Sequence, residues 1–585
     1  MLRSRPTLTY SGLTIIMSNP SRFDTHRLLA GNGGSMFDSF CLRPEYNSMR
    51  CDVRLVDDKS PFLIGTKCLL ILGERAMHTL LPETLNNTIH EMRGSLFHYN
   101  NIPCICSYLP QEAADTYKNY EKENNPMSSD YTPDDIVSED GEEDEGNVKA
   151  YGKTKRSNYA FWLRADTKKC KYLLANGIIP KTIPKYSIYP SSNLVIKLLT
   201  ETKNQYLYFD IETDYEELNM QCFAFSFDGH NIMSVPILDY SYHPAYSNYY
   251  SIMRALAIAI RDNTVVAHNG ACFDFLVLAY KYHIPINKTY DTLIAMHRCF
   301  PDVEKSLGHC TSYWTWEKFH KDEDSQGYRT NSQMIDRLKY CGKDVYTMYL
   351  IHQAIIKYAS TIPGLQKSID DAMACIRPYL ISTLQGIKVN QDLINSMCKE
   401  NDRLMVQYNR LIEFFIGQQG MDDIRQGKKL GMFAGSTKQC CKYFHDMLGY
   451  PVIAKGKPDM YGETHPSLGK KALYRLALKV ENPVINLITA YRTTKKETSR
   501  LRFLPWKPGR DTTQWHIPGT KTFRLGSRGV FKKKRLIELT GEIKERGLGG
   551  NLANIEKSMR EIYIPDGLEF GGDPEHKVDL LPVVS

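Results

Sequence analysis

Apolar residues fall into short, turn-bounded runs over the first two-thirds of the 585-residue chain and into helical stripes after that. Lys67–Gly73 (KCLLILG) predicts a buried strand with a helix opening at Glu74, and Ile102–Ser107 (IPCICS) predicts a second strand running into Tyr108-Leu109-Pro110. Strand, helix and strand in alternation predict a small α/β unit, set at residues 25–125. Tyr206–Phe209 and Val265–Ala267 predict further strands, with helical patterns between about 250 and 360, so a second α/β domain is placed at 190–365. From 366 to 585 the pattern is mainly helical. Over Leu393–Ile416 the residues Ile394, Met397, Met405, Tyr408, Ile412 and Phe415 recur near the 3.6-residue period, with Asn390 as N-cap and Gly417 as stop. No internal repeat is found.

Composition narrows the classes. Hydrophobic residues are 42% and charged residues 24%, ordinary for a folded chain of several domains and far from wholesale disorder. The apolar runs Leu13–Met17, Cys68–Leu72 and Phe273–Leu278 are too short to cross a bilayer or to serve as a secretory leader. The cysteines number 15 and none are spaced as CxxC, which predicts reduced thiols and no cysteine-bound zinc or iron–sulfur site. The expected compartment is the cytoplasm, the host's if the source is viral. The net charge of +8 is unevenly spread: residues 130–145 hold nine acids and no base, so the rest is considerably more basic. A basic body favours an anionic partner such as nucleic acid. The acidic stretch within 126–150, rich in Ser, Gly and like charges, predicts a disordered linker.

The chemistry concentrates in three places. In YLYFDIETD, Asp210 and Glu212 are two apart on a strand and share a face. HNGACFDFL carries Asn269, Phe273 and Asp274. In YCGKDVYTMY, Tyr340 and Asp344 are four apart on a helix and also share a face. Each fragment is common alone; the ordered set, with its key aspartates 64 and 70 residues apart, is far more specific. Four converging carboxylates repel unless divalent cations lie among them. Two Mg²⁺ ions, or Mn²⁺, would supply an activated water and stabilise a leaving oxygen, the chemistry of phosphodiester hydrolysis.

This set resembles the DEDDy class of 3′–5′ exonuclease domains, which are RNase H-like. Tyr290-Asp291-Thr292 and the stretch from Pro301-Asp302 through Ser306-Leu307-Gly308 look like the helical insert of proofreading domains in phage-type polymerases. The resemblance implies that Asp210, Glu212, Asp274 and Asp344 bind metal, that Tyr340 positions water, and that Asn269 and Phe273 line a single-stranded 3′ end. Farther on, Gly386–Asn390, Gly435–Gln439, Gly519–Ser527 and Asn551–Ile555 with Arg560 resemble, in order, the thumb and palm entry of family A DNA polymerases, with departures at Phe523, Gly526, Ala553 and Glu556. It implies DNA contacts by Thr520, Thr522, Arg524, Ser527, Asn551, Asn554 and Arg560, and a palm metal ligand at Asp573. Independently, residues 491–535 hold fourteen Lys or Arg and two acids, a composition able to follow a phosphate backbone.

The fold expected is therefore α/β: a small α/β domain, an RNase H-like exonuclease domain, then a mainly helical thumb and partial palm. The expected partners are a DNA primer-template and its single-stranded 3′ end. Residues for the fingers and the second palm aspartate are not found before Ser585, so a second polypeptide supplying them is an expected partner as well. A weaker resemblance, through Met92-Arg93-Gly94 and Tyr108-Leu109-Pro110, links the N-terminal unit to the uracil-DNA glycosylase fold. Leu109 replaces that motif's histidine, so no glycosylase activity is expected. The rival readings are a stand-alone RNase D-like exonuclease and a non-catalytic DNA-binding clamp with a relic site.

Overall fold

The computed structural model describes residues 10–18, 28–29, 32–42, 51–58, 61–62, 64–114, 159–177, 183–214, 218–239, 241–318, 320, 331–426, 433–456, 464–502, 508–536, 543–548 and 557–564. The acidic segment and Asn551, Asn554 and Asp573 lie outside them.

The N-terminal unit is a five-stranded sheet of β1 (Leu13–Met17), β2 (Asp52–Leu55), β3 (Cys68–Leu72), β4 (Leu96–Tyr99) and β5 (Ile102–Ser107), in the order β2-β1-β3-β5-β4. All neighbours are parallel except the β4–β5 pair. The helices α1 (Glu74–Leu80) and α2 (Ile89–Met92) join β3 to β4. The unit is wider than the expected 25–125. Leu13–Met17 lies inside the sheet and is buried at every position, Thr14 included, as in a parallel sheet covered on both faces. Beyond the acidic segment, α3 (Tyr159–Asn176) returns to the same core through Leu163, Cys170 and Leu173. The sequence reading closed the unit at the acidic stretch, whereas that stretch interrupts it.

The second domain is a six-stranded mixed sheet ordered β11-β10-β7-β8-β9-β6. Its strands are β6 (Lys185–Ile188), β7 (Tyr206–Thr213), β8 (Met220–Ser226), β9 (Asn231–Pro236), β10 (Thr264–Ala267) and β11 (Thr289–Asp291). β7 is central, parallel to β10 and antiparallel to β8. Covering helices include α4 (Tyr249–Asp262), α5 (Asp274–Lys281), α6 (Thr292–Cys299), α7 (Leu307–Trp314) and the 29-residue α8 (Asn331–Ala359), which crosses β7, β8 and β9. The largest buried cluster sits between this sheet and its helices.

The C-terminal part pairs two long helices, α9 (Gln391–Ile416) and α10 (Pro483–Leu501), around Ile412, Phe433, Phe444 and Ile488. The Asn390 side chain accepts the Leu393 N–H at 3.0 Å and Gly417 closes α9 at φ 78°, as its sequence predicts. At the base of this pair, Ile387–Val389 bonds antiparallel to Arg510–Asp511 on one side and Tyr563–Ile564 on the other. All fifteen cysteines are free. Among the described residues no helix is long and apolar enough to cross a membrane.

Candidate active site

On β7, Asp210 and Glu212 are half-buried while Ile211 between them is buried in the opposite direction, the alternation a strand imposes. Their cross-strand neighbours are the small residues Ala224 and Cys222, which leave room above the sheet. Asp344 comes from α8, which lies close on the sheet at Gly342: a Cβ there would stand 2.7 Å from Ser234 Oγ on β9, a crowding that glycine avoids. One oxygen from each of Asp210, Glu212 and Asp344 lies within 4.8 Å of the other two.

Asp274 is buried at the start of α5 and is not one of this close trio. Its Oδ1 accepts the Ile211 N–H at 3.1 Å, which fixes the head of α5 to β7 between the two strand acids. Burial pushes its carboxyl up to about 7, and the charges of Asp291 and Asp344 add to the rise. Tyr340 sits one turn before Asp344 on the same face of α8, buried. Asn269 and Phe273 are half-buried in the turn before α5.

That turn depends on Asp291. At the end of β11 its Oδ1 accepts N–H groups from Asn269 (3.0 Å), Leu293 (2.9 Å) and Ile294 (3.5 Å), and its Oδ2 accepts that of Ala271 at 3.0 Å. The carboxylate both caps α6 and holds the turn in which Asn269 adopts φ 62°. Burial raises its pKa against those four bonds.

Three residues that the sequence reading did not single out complete the site. Arg337 Nη2 donates to Glu212 Oε2 at 3.0 Å and to the Thr213 carbonyl at 2.7 Å, with only 4% of its side chain exposed. His320 Nε2 pairs with Asp344 Oδ1 at 2.7 Å, and its ring centroid lies 5.9 Å from that of Tyr340. The Cys341 thiol points at Asp210 Oδ2 from 3.3 Å; burial keeps its pKa well above the ordinary value. Arg337 was within reach of sequence reasoning, since 337, 340 and 344 share one helix face. His320 was not, because no spacing ties it to Asp344.

The donors fit a hard divalent cation: three carboxylates, no thiolate ligand, and a local excess of negative charge that the Arg337 guanidinium partly compensates. Asp210, Glu212 and Asp344, with Asp274 behind them, are the residues able to hold it.

The C-terminal candidates lie elsewhere. Thr520, Thr522 and Arg524 are exposed in the turn between two short antiparallel strands, Gln514–His516 and Gly526–Arg528, with Ser527 half-buried in the second. The turn rests on the second domain. The Thr520 carbonyl is 3.0 Å from His297 Nε2, the Arg298 guanidinium stands 4.5 Å from the Phe523 ring, and Lys521 pairs with Asp302 at 3.0 Å. Gln514 donates to the Cys272 carbonyl in the Asn269–Phe273 turn. Arg560 is exposed on a short helical turn, Lys557–Ile562.

A mixed sheet with paired acids on its central strand and a third on a crossing helix defines a nuclease domain of the RNase H-like kind. The particular class follows from comparison: residues 188–358 match the family model for the 3′-5′ exonuclease of family A DNA polymerases. Over these residues the chain therefore carries a domain of the 3′–5′ exonuclease type found in family A DNA polymerases. No curated protein matches the chain. A solved structure with which it shares similarity is the POL domain of Pol1 from M. smegmatis in complex with DNA primer-template and dNTP, at 15% identity and a TM-score of 0.41. The match covers 59% of this chain and 54% of that one, so the chain spans about half the length of that polymerase structure.

Proposed function

We propose that this exonuclease removes nucleotides from the 3′ end of DNA as the proofreading part of a family A DNA polymerase. The observation that carries the reading is the meeting of Asp210, Glu212 and Asp344 within 4.8 Å, at the end of a strand and on a helix that also presents Tyr340. Mg²⁺, or Mn²⁺ in its place, held by these acids and Asp274, supplies Lewis acidity for water activation and for the departing oxygen. The chain's own groups do the rest. Tyr340 orients the attacking water by its hydroxyl, and Asn269 and Phe273 hold the terminal nucleotide, the ring by stacking on its base. Residues 366–585 grip the duplex as thumb and partial palm, with Thr520, Thr522, Arg524, Ser527 and Arg560 toward the phosphates. The N-terminal unit has no glycosylase activity in this reading. Leu109 stands where the glycosylase motif has its histidine, Arg93 is fully buried against Asp166 and Ser312, and the Tyr108 hydroxyl bonds His90.

The test is digestion of 5′-labelled single-stranded DNA and RNA of the same sequence in Mg²⁺. Stepwise 3′ shortening of DNA, abolished in Asp210→Ala with DNA binding kept, supports the proposal. Preference for RNA supports the stand-alone RNase reading, and no metal-dependent turnover supports the relic clamp. Primer extension by the same preparation reads whether this chain also polymerises.

A further inference from the structure

A second group of metal-ligand side chains lies outside the nuclease site, where the N-terminal unit meets the exonuclease domain. His90 stands on α2, Glu304 in the loop before α7, and His309 on α7; one ligand atom from each lies within 4.8 Å of the others. His90 Nε2 is 3.6 Å from Glu304 Oε2, and His309 Nδ1 is 3.6 Å from Glu304 Oε1. Both separations are long for a hydrogen bond. They run to different oxygens of the one carboxylate, and each is close to the roughly 3.3 Å expected between two donors that share one tetrahedral ion at Zn–N and Zn–O lengths of about 2.0–2.1 Å, so a turn of the carboxylate serves to bring a single oxygen to the ion.

The surroundings suit a cation. Only 9% of the His309 side chain is exposed, so the Nδ1 that faces Glu304 is largely shielded from bulk water. Its Nδ1 is within 2.7 Å of the Ser306 hydroxyl, which can turn aside. His90 has its other nitrogen, Nδ1, on the Tyr108 hydroxyl, the kind of outer partner that fixes tautomer and ring orientation in metal-bound histidines. The imidazole centroids are 4.4 Å apart, so both rings already flank one point. The nearby Arg93 guanidinium is neutralised by Asp166, and the Lys305 ammonium is turned onto the carbonyls of Pro301 and Val303. Glu304 is 34% exposed, which leaves a solvent-facing fourth position.

We propose that His90, Glu304 and His309 bind a single Zn²⁺-class ion, through two imidazole nitrogens and one carboxylate oxygen with water in the fourth place, and that this ion clips the N-terminal unit to the exonuclease domain. Two nitrogens and one oxygen select a borderline transition metal over the Mg²⁺ that an all-oxygen cluster selects. With His90 and Glu304 214 positions apart, the site has no sequence motif.

The test uses the whole chain, stripped by chelation, held in excess Mg²⁺ to occupy the carboxylate cluster, and titrated with Co²⁺ as a spectroscopic probe. The expected result is the intense visible band of four-coordinate Co²⁺, saturating at a single ion per chain, bleached by Zn²⁺, and retained in Asp210→Ala, which separates this site from the nuclease site. His309→Ala and Glu304→Gln should lose the band. His90→Gln, on the more exposed side, should lose it with an unchanged circular dichroism spectrum. Tyr108→Phe should weaken binding about tenfold. Zn²⁺ should also raise the thermal midpoint of the native chain and leave that of His90→Gln unmoved. Absence of a four-coordinate band in the native chain, or an equal band in folded His90→Gln and Glu304→Gln, would overturn the proposal and leave the three side chains a metal-free polar cluster.

Discussion

Asp291 offers the sharpest test of how the nuclease site is held, because it touches neither metal nor substrate in the proposed mechanism. Replacing it by alanine removes the acceptor of four backbone N–H groups. Loss of the α6 cap costs about 1–2 kcal/mol. The N–H groups of Asn269 and Ala271, left in a half-buried turn, cost about 1–3 kcal/mol each. Removing a carboxylate whose pKa burial already raises returns part of this. The net is roughly 3 kcal/mol, which at about 2–4 °C per kcal/mol for a domain of this size lowers the melting of the exonuclease domain by roughly 10 °C. Because the same turn carries Asn269 and Phe273, digestion of single-stranded DNA should fall by up to about 10²-fold even well below the melting temperature. Asp291→Asn keeps one oxygen for the Asn269, Leu293 and Ile294 N–H groups but sets an amide donor against that of Ala271, so it should cost only about 1–2 kcal/mol. Differential scanning fluorimetry alongside a gel-based digestion assay reads both quantities. An Asp291→Ala chain that melts within 2 °C of the native one and digests at the native rate would falsify the claim that this carboxylate builds the turn.

Other predictions follow from the same geometry. Asp344→Asn should reduce digestion at least about 10³-fold while binding of a 3′-ended oligonucleotide, read by fluorescence anisotropy, changes little; loss of binding would instead make Asp344 a structural residue. Arg337→Met breaks a buried ion pair and should cost the metal-free protein about 3 kcal/mol, with Mn²⁺ restoring much of the loss in a thermal melt; a variant insensitive to Mn²⁺ would contradict the pairing. The Asp274 carboxyl, raised to about 7, is protonated below that pH and ionised above it. Since its folded value lies above the ordinary one, it contributes stability to the metal-free fold at low pH that is lost as pH rises through about 7, whereas divalent-metal affinity should strengthen over the same interval. Mn²⁺ titrations at pH 6 and 8 check this, and equal affinities at both would refute it.

What the sequence reveals here is local pattern. The strands at 68–72 and 102–107 follow from short apolar runs, while the helix of 391–416 with both of its caps and the shared faces of Asp210 with Glu212 and of Tyr340 with Asp344 follow from periods of two and 3.6. Two other kinds of feature escape such reading. Leu13–Met17 carries no alternation because it is buried on both sides, so the same five letters fit an isolated apolar patch or a central strand. His320, Asp291 and the group of His90, Glu304 and His309 act across the fold, through partners 20 to 219 residues away. No periodicity encodes such partners, and only the tertiary path of the chain brings them together.

The electrostatics of the nuclease site connect these strands of reasoning. Two carboxylates 4.8 Å apart repel by about 3.5 kcal/mol at an effective dielectric constant near 20, and three mutually close ones by roughly three times that. A fold of ordinary stability cannot carry this repulsion uncompensated. In the metal-free chain the relief is divided: the Arg337 guanidinium pairs with Glu212, His320 Nε2 hydrogen-bonds Asp344, and the buried Asp274 holds its proton to higher pH. Each device is weaker than a divalent cation and yields to it by a different route, the side chains by moving and Asp274 by releasing a proton. The site is thus stable when empty and still receptive. Removing Arg337 should make the metal-free chain less stable and more dependent on its metal, whereas a site that relied on metal alone to assemble would show no such change.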